Sequence, residues 1–145
     1  MAERKAAGRM RAVRWKDLMP NENPPGVKPG FYRWFKQYVG GPAPYAHGNR
    51  EEGLVSDKGS VGYHCVPAGN GMPEHYHESI DEVYVLIRGK LLVRSGEDEV
   101  VLEPLDCVFI PAGAPHATEN VGEENVEFIW FQWGLDDPRR KHYRK

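Results

Sequence analysis

The stretch GNGMPEHYHESIDEVYVLIRG, residues 69–89, carries two histidines and a glutamate at short intervals. His75 and His77 are two residues apart, and side chains alternate between the two faces of a strand. The spacing therefore predicts that both imidazoles point to one face. Glu82 opens the next apolar run, and its carboxylate returns to the same point if that run pairs beside the first.

A second stretch, PAGAPHATEN at residues 111–120, supplies a third histidine, His116. The two stretches fit the spacings G-x5-H-x-H-x4-E-x6-G and P-x-G-x2-H-x3-N, and in these motifs the sequence resembles the cupin superfamily. The first motif matches in full, whereas Leu105 stands where the second motif of the family begins with glycine. We therefore expect that the turn at Leu105 does not need the positive φ that glycine permits.

The resemblance implies an all-β fold, the cupin double-stranded β-helix, which is a jelly-roll-like β-barrel. It also implies one bound divalent transition metal ion, whose ligands correspond here to His75, His77, Glu82 and His116. Imidazole and carboxylate groups bind Fe, Mn, Ni, Co, Cu or Zn, so the identity of the ion stays open. Four protein ligands leave one or two positions for substrate, water or dioxygen, which is typical of a catalytic site.

The rest of the chain has the pattern of a β-sandwich or barrel, because short β-favouring runs are separated by Gly, Pro, Asn and Asp. We predict an irregular N-terminal arm over residues 1–29, the barrel over residues 30–135 and a basic tail over residues 136–145. Strands are predicted near Tyr32–Val39, Ser60–Val66, His75–His77, Glu82–Ile87, Lys90–Ser95, Glu99–Leu102, Cys107–Ile110, His116–Glu119 and Asn125–Trp133.

Composition favours a globular protein with a small-molecule substrate. Hydrophobic residues make up 40% of the chain, and the formal net charge of -2 provides no field that attracts nucleic acid or anionic lipid. No apolar run is long enough to span a membrane, and the N-terminus lacks an apolar signal region, so a cytoplasmic location is expected.

Cys65 and Cys107 lack a C-x-x-C spacing, and we expect both to be small core residues. The resemblance further implies a homodimer.

Strand alternation extends the predicted site. Tyr84 shares a face with Glu82, so it is a candidate acid or base if its pKa is lowered, with simple packing as the equal alternative. Glu74 is a second candidate for moving protons. In the last strand either the face of Phe128, Trp130 and Gln132 or the opposite face lines the interior. The remaining histidines have simpler interpretations. We expect His47 in a loop and His142 in an exposed tail, whereas His64 is expected to be a strand residue that could face the cavity.

Three functions are compatible with this site. The leading hypothesis is a metal-dependent dioxygenase that acts on a small oxygenated organic substrate, in an aromatic pocket that shields the reaction. The second is an isomerase, lyase or decarboxylase that uses the ion only as a Lewis acid. The third is a non-catalytic protein that binds a small molecule in the barrel.

Overall fold

The computed structural model describes residues 8–22, 28–41 and 53–135. These residues form almost entirely β-structure, with one 3-10 turn at Trp15–Asp17. The strands are β1 (Asn21–Glu22), β2 (Trp34–Gly40), β3 (Leu54–Val55), β4 (Gly59–Val66), β5 (Gly71–His75), β6 (Asp81–Arg88), β7 (Leu91–Ser95), β8 (Asp98–Leu102), β9 (Cys107–Ile110), β10 (His116–Asn120) and β11 (Val126–Trp133).

The strands form two sheets whose inner faces enclose the core. The larger sheet has the order β1-β2-β4-β11-β6-β9, with β3 paired to β2, and the smaller sheet has the order β5-β10-β7-β8. Apart from the parallel pair of β2 and β3, the ladders are antiparallel. This arrangement confirms the predicted all-β double-stranded β-helix.

Alternation along the strands decides which side chains enter the core. In β6, Glu82, Tyr84 and Leu86 are buried, whereas Val83 and Val85 are only partly buried on the outer face. In β11 the buried set is the even one, with Phe128 and Trp130, which settles the face that the sequence left open. The core consists of Val66, Met72, Tyr84, Leu86, Leu91, Val93, Leu102, Ile110, Val126, Phe128 and Trp130.

Three expectations were wrong. The strand predicted at His75–His77 lies at Gly71–His75, so His77 follows the strand instead of belonging to it. Cys107 is exposed, because its side chain points from β9 to the outer face, while Cys65 is buried as expected. Leu105 has a φ of 73°, the positive value that a type II turn requires at its third residue; Pro104 and Leu105 are the central residues of this turn, which a 2.9 Å bond from Asp106 N to Glu103 O closes.

Part of the N-terminal arm packs against the barrel. Trp15 packs on the outer face of the larger sheet, with ring centroids 6.3 Å from Trp34 and 4.8 Å from Tyr63. Within the described ranges, no helix has the length and hydropathy that a membrane crossing requires. His47, His142 and the predicted tail at 136–145 lie outside the described residues. The homodimer stays a prediction.

Candidate metal centre

The four predicted ligands come from both sheets and meet inside the barrel. His75 ends β5 and lies directly opposite His116, the first residue of β10, in the smaller sheet. Glu82 reaches the same point from β6 of the larger sheet, and His77 approaches from the turn between β5 and β6. One nitrogen or oxygen atom from each residue lies within 4.8 Å of those of the others. The structure therefore brings together the four residues that the sequence singled out.

Two buried atoms at this point have no hydrogen-bond partner. His116 Nε2 lies 3.3 Å from Glu82 Oε1, and neither atom makes a hydrogen bond with good geometry. His77 Nε2 lies 3.7 Å from the other carboxylate oxygen of Glu82. Leaving a buried polar atom unsatisfied costs about 1–3 kcal/mol, so native proteins rarely tolerate one without a reason. A cation between these atoms satisfies both, and the donor set therefore fits a divalent transition metal ion.

Backbone carbonyl groups fix the orientation of two of the imidazoles. His75 Nδ1 lies 2.8 Å from Pro73 O, and His116 Nδ1 lies 3.0 Å from Ala114 O. Because a carbonyl oxygen only accepts, each Nδ1 carries the proton and donates it. The Nε2 lone pair of each ring is then available to the centre, which is the arrangement that metal-binding histidines require.

Protonation states also favour cation binding. Burial, followed by the neighbouring charge of His116, lowers the pKa of His75 to about 4. Burial by itself raises the pKa of Glu82, but the contact with His116 and the nearby imidazole charges outweigh it and hold that pKa at about 2. Near neutral pH the site therefore offers a neutral imidazole and an ionised carboxylate.

Gln132 holds the Glu82 carboxylate from the adjacent strand. Gln132 Nε2 donates a short hydrogen bond to Glu82 Oε2, and Ser60 Oγ donates to Gln132 Oε1 at 2.7 Å. The three residues lie directly opposite one another on β4, β11 and β6. Glu82 Oε1 is thereby left to face the histidines. From the sequence, Gln132 is only a candidate wall residue, because no motif position points to its partner.

A cavity of about 200 Å³ is lined by three of the four ligands, His75, His77 and Glu82. Its walls include a cation, two amides and several apolar or aromatic side chains. They are Arg33, Phe35, Gln37, His64, Met72, Tyr84, Trp130 and Gln132. A concave, largely apolar site with a few polar groups is typical of a small-molecule site.

The indole of Trp130 lies across Gly62 on the floor of this cavity. The two residues are directly opposite each other on β11 and β4. A Cβ atom added at Gly62 would lie 2.0 Å from Trp130 Cη2, so no side chain other than hydrogen fits beneath the ring. Glycine at this position therefore sets the position of the ring.

His64 lies inside the cavity wall among aromatic rings. Its imidazole stacks on Phe128 with centroids 5.1 Å apart and lies 4.7 Å from the Trp130 ring. Burial, followed by the charge of Arg33, lowers the pKa of His64 to about 3. The imidazole is thus neutral at physiological pH, and His64 does line the cavity.

The two candidate catalytic residues lie in different environments. Tyr84 lines the cavity, but burial and the charge of Glu82 raise its pKa well above the ordinary value, opposite to the shift that a base requires. Glu74 is exposed on the outer side of β5, beside Arg94 and Glu119, and is not among the residues that line the cavity.

Thr118 has a structural role in the smaller sheet. Its Oγ1 accepts a 3.2 Å hydrogen bond from Met72 N and supports the pairing of β10 with β5.

Comparisons with known proteins agree with this architecture. Residues 62–132 match the family model described as "Cupin domain". A crystal structure of a predicted oxalate decarboxylase from Thermotoga maritima superimposes with a TM-score of 0.66 at 19% identity, covering 86% of this chain and all of that one. At this identity the likeness shows the fold alone.

Two further matches have higher sequence identity. The tetracenomycin polyketide synthase protein TcmJ of Streptomyces glaucescens is 38% identical over 72 residues, which are 50% of this chain and 48% of that protein. The DMSP lyase DddQ of Ruegeria pomeroyi gives a TM-score of 0.56 at 26% identity, over 69% of this chain and 46% of that one. The matched part thus covers about half the length of each of these two relatives. The motifs, the two sheets and the family match agree, and the chain contains a small cupin domain.

Proposed function

We propose that this protein is a metal-dependent enzyme that acts on a small oxygenated organic substrate. The observation that carries the proposal is the pair of buried, unpartnered atoms, Glu82 Oε1 and His116 Nε2, at the edge of a 200 Å³ cavity. A divalent ion bound there polarises a carbonyl or carboxylate oxygen and, if it is iron, also supports oxidation by dioxygen.

The residues of the chain prepare the site for such a substrate. The Nδ1 bonds of His75 and His116 orient two ligands, and Gln132 orients the Glu82 carboxylate. Phe35, Met72 and Trp130 supply apolar wall on the substrate side, which excludes water and strengthens electrostatic interactions inside the cavity.

The leading form of this proposal is a dioxygenase. The ligand set of three histidines and one glutamate suits iron, and the aromatic wall shields reactive species from water. The second form is a lyase or decarboxylase in which the ion acts only as a Lewis acid. The 26% identity with a protein named a DMSP lyase supports this second form.

Tyr84 has a narrower proposed role than general base. Its phenol is 3% exposed and interacts with the Glu82 carboxylate, so we propose that it donates a hydrogen bond there while remaining neutral. Replacement by phenylalanine then reduces turnover without removing the ion. Wild-type turnover in Tyr84→Phe would assign this residue to packing, and loss of the ion would assign it to metal binding.

The decisive experiment combines elemental analysis with turnover in air and under argon. Native protein is analysed for bound metal and then assayed against diketones, catechols and keto acids, with the metal-free His77→Ala variant as control. The dioxygenase proposal expects turnover only in air, with consumption of dioxygen. Equal turnover under argon would contradict it and favour the Lewis-acid form, and no turnover of any substrate class would leave a binding protein.

A further inference from the structure

Gln37 places an unpartnered hydrogen-bond acceptor in the wall of the cavity. The residue belongs to β2, is 4% exposed and lines the same cavity as the metal ligands. Within the part of the chain that the structure describes, its Oε1 atom is buried and accepts no hydrogen bond. Such an atom destabilises the folded protein, so native structures rarely keep one without a reason. Gln132, the other amide of the cavity, is instead bonded at both ends.

A second polar atom in the same part of the wall is also unpartnered. His64 lines the cavity from β4, the strand beside β2, and its buried Nδ1 atom has no hydrogen-bond partner among the described residues. Gln37 lies directly opposite Gly62 in the strand register, and His64 follows two residues later on the same face of β4. Side chains in this diagonal relation are neighbours on the surface of a sheet. Two neighbouring side chains of the wall thus each carry a polar atom without a partner.

Gln37 and the metal ligand Glu82 lie on different sides of the cavity. The strand order β2-β4-β11-β6 separates them by three strand spacings, which is about 14 Å along the sheet. Between them the indole of Trp130 covers Gly62 and supplies an apolar floor. The cavity of about 200 Å³ is somewhat larger than the roughly 150 Å³ that accommodates benzene in an apolar site. A molecule with one ring or a short carbon chain therefore fits between the two polar sides.

The unpartnered atoms define the complementary group on a ligand. An amide oxygen only accepts hydrogen bonds, so a ligand that satisfies Gln37 Oε1 must present an O–H or N–H donor. A charged ammonium group is disfavoured because the proposed divalent ion shares the cavity. A hydroxyl group both donates and accepts, so it also suits His64 Nδ1 in either tautomer of the imidazole. The chemistry of this side of the cavity therefore favours a hydroxyl group.

We infer that Gln37 binds a hydroxyl group of the substrate, and that the substrate is a small hydroxylated molecule with a second oxygen function directed to the metal ligands. Gln37 then selects against analogues that lack the hydroxyl group, because they leave its buried acceptor unpaired in the complex. This inference names the substrate class of the enzyme proposed above and therefore rests on the proposed function.

Two fluorinated ligands of matched shape test the inference. The compounds para-fluorophenol and para-difluorobenzene differ only in the hydroxyl group, and fluorine NMR titration measures the affinity of zinc-loaded protein for each. The wild type is expected to bind para-fluorophenol about tenfold more tightly. Gln37→Met keeps the length of the side chain without its acceptor, and it is expected to lose this preference with unchanged affinity for para-difluorobenzene. Zinc content is measured in each protein to show that the metal site is intact.

The stability of the protein without ligand distinguishes this role of Gln37 from a structural one. Gln37→Met removes a buried acceptor that has no partner, so its midpoint of urea denaturation should equal or exceed that of the wild type. Gln132→Met is the matched control, because it removes an amide that is bonded at both ends, and its midpoint should fall. A midpoint of Gln37→Met below that of the wild type would show that the amide is bonded within the protein, which overturns the inference.

Two binding results would also overturn the inference. One is equal affinity of the wild type for the two ligands. The other is a preference for para-fluorophenol that persists in Gln37→Met, because the hydroxyl group then binds the ion or another part of the wall. Turnover assays do not enter this test. A hydroxyl-selective cavity in a protein without any turnover would contradict the proposed enzyme and leave the hydroxyl site in place.

Discussion

The side-chain amide of Gln132 donates a hydrogen bond from Nε2 to the Glu82 carboxylate, and the Ser60 hydroxyl donates one to Gln132 Oε1 at 2.7 Å. The ionised Glu82 carboxylate only accepts, so Gln132 Nε2 must face it, and Gln132 Oε1 then accepts from the Ser60 hydroxyl. The chain of bonds runs straight across three neighbouring strands and leaves Glu82 Oε1 unpartnered beside His116. Gln132 therefore positions a ligand without being one.

Replacing Gln132 by leucine should weaken metal binding. The variant keeps a side chain of similar size but leaves Glu82 Oε2 without its donor, and loss of a group that orients a metal ligand typically costs 10–100-fold in affinity. Competition for zinc against a chromophoric chelator measures the effect. Ser60→Ala removes only the hydroxyl that supports the Gln132 amide and should show a smaller loss of zinc affinity. Wild-type zinc affinity in Gln132→Leu would show that the bond has no positioning role.

Alanine at Gly62 should destabilise the protein and alter the cavity. The added methyl group would lie 2.0 Å from the Trp130 ring, so the indole or the strand must move. Overpacking of this kind costs about 1–3 kcal/mol in the free energy of unfolding, measured by urea denaturation. Gly122→Ala is a matched control, because the nearest atom to its added Cβ is 3.7 Å away. Equal stability of the two variants would mean that the Trp130 ring is not held over Gly62.

His64 should make stability depend on pH between about 3 and 6.5. The pKa of His64 is lowered to about 3 in the folded protein from 6.5, so the unfolded chain binds the proton more readily. The contribution of His64 to the free energy of unfolding is complete above pH 6.5 and is lost progressively as the pH falls toward 3. The charged groups that act on it are Arg33, Glu82 and His75.

The variant His64→Gln isolates this contribution. Between pH 7 and pH 5 the wild type should lose roughly 1–2 kcal/mol more of its unfolding free energy than the variant does. Urea denaturation of both proteins at the two pH values gives the difference. Parallel losses in wild type and variant would show that His64 is not held neutral by its surroundings.

Leu105→Asn should stabilise the turn before β9. Leu105 has a φ of 73° and is 84% exposed, so its side chain gains little from packing while the backbone takes a conformation that disfavours Cβ. Asparagine tolerates this region, and relief of the strain is expected to raise the free energy of unfolding by up to about 1 kcal/mol. Leu105→Ala lacks the side-chain amide whose local hydrogen bonds let asparagine tolerate this region, and it should give no such gain. A gain of the same size in Leu105→Ala would contradict the assignment of strain.

Several parts of the fold and the site could be predicted because they depend on local spacing. Alternation within β6 placed Glu82, Tyr84 and Leu86 inward, and the structure agrees. The four ligand positions followed from two motifs, and the structure brings them within 4.8 Å of one another. Local periodicity and motif spacing require no knowledge of how distant strands pair.

What could not be predicted depends on long-range pairing or on turn geometry. The inward face of β11 is fixed by its register with β4 and β6, which joins Gln132 to Glu82 and Trp130 to Gly62. No local pattern distinguishes the two bulky faces of that strand. At Leu105 the chain adopts the positive φ of a type II turn although the residue is leucine, which the local sequence does not indicate.

The metal content of three purified proteins is the most direct test of the proposed metal centre. Elemental analysis of wild type, His77→Ala and His64→Gln compares a proposed ligand with a non-ligand histidine of the same cavity. We expect about one transition metal ion per chain in the wild type and in His64→Gln, and almost none in His77→Ala. A stoichiometric ion that persists in His77→Ala, or its loss in His64→Gln, would contradict the assignment of the site.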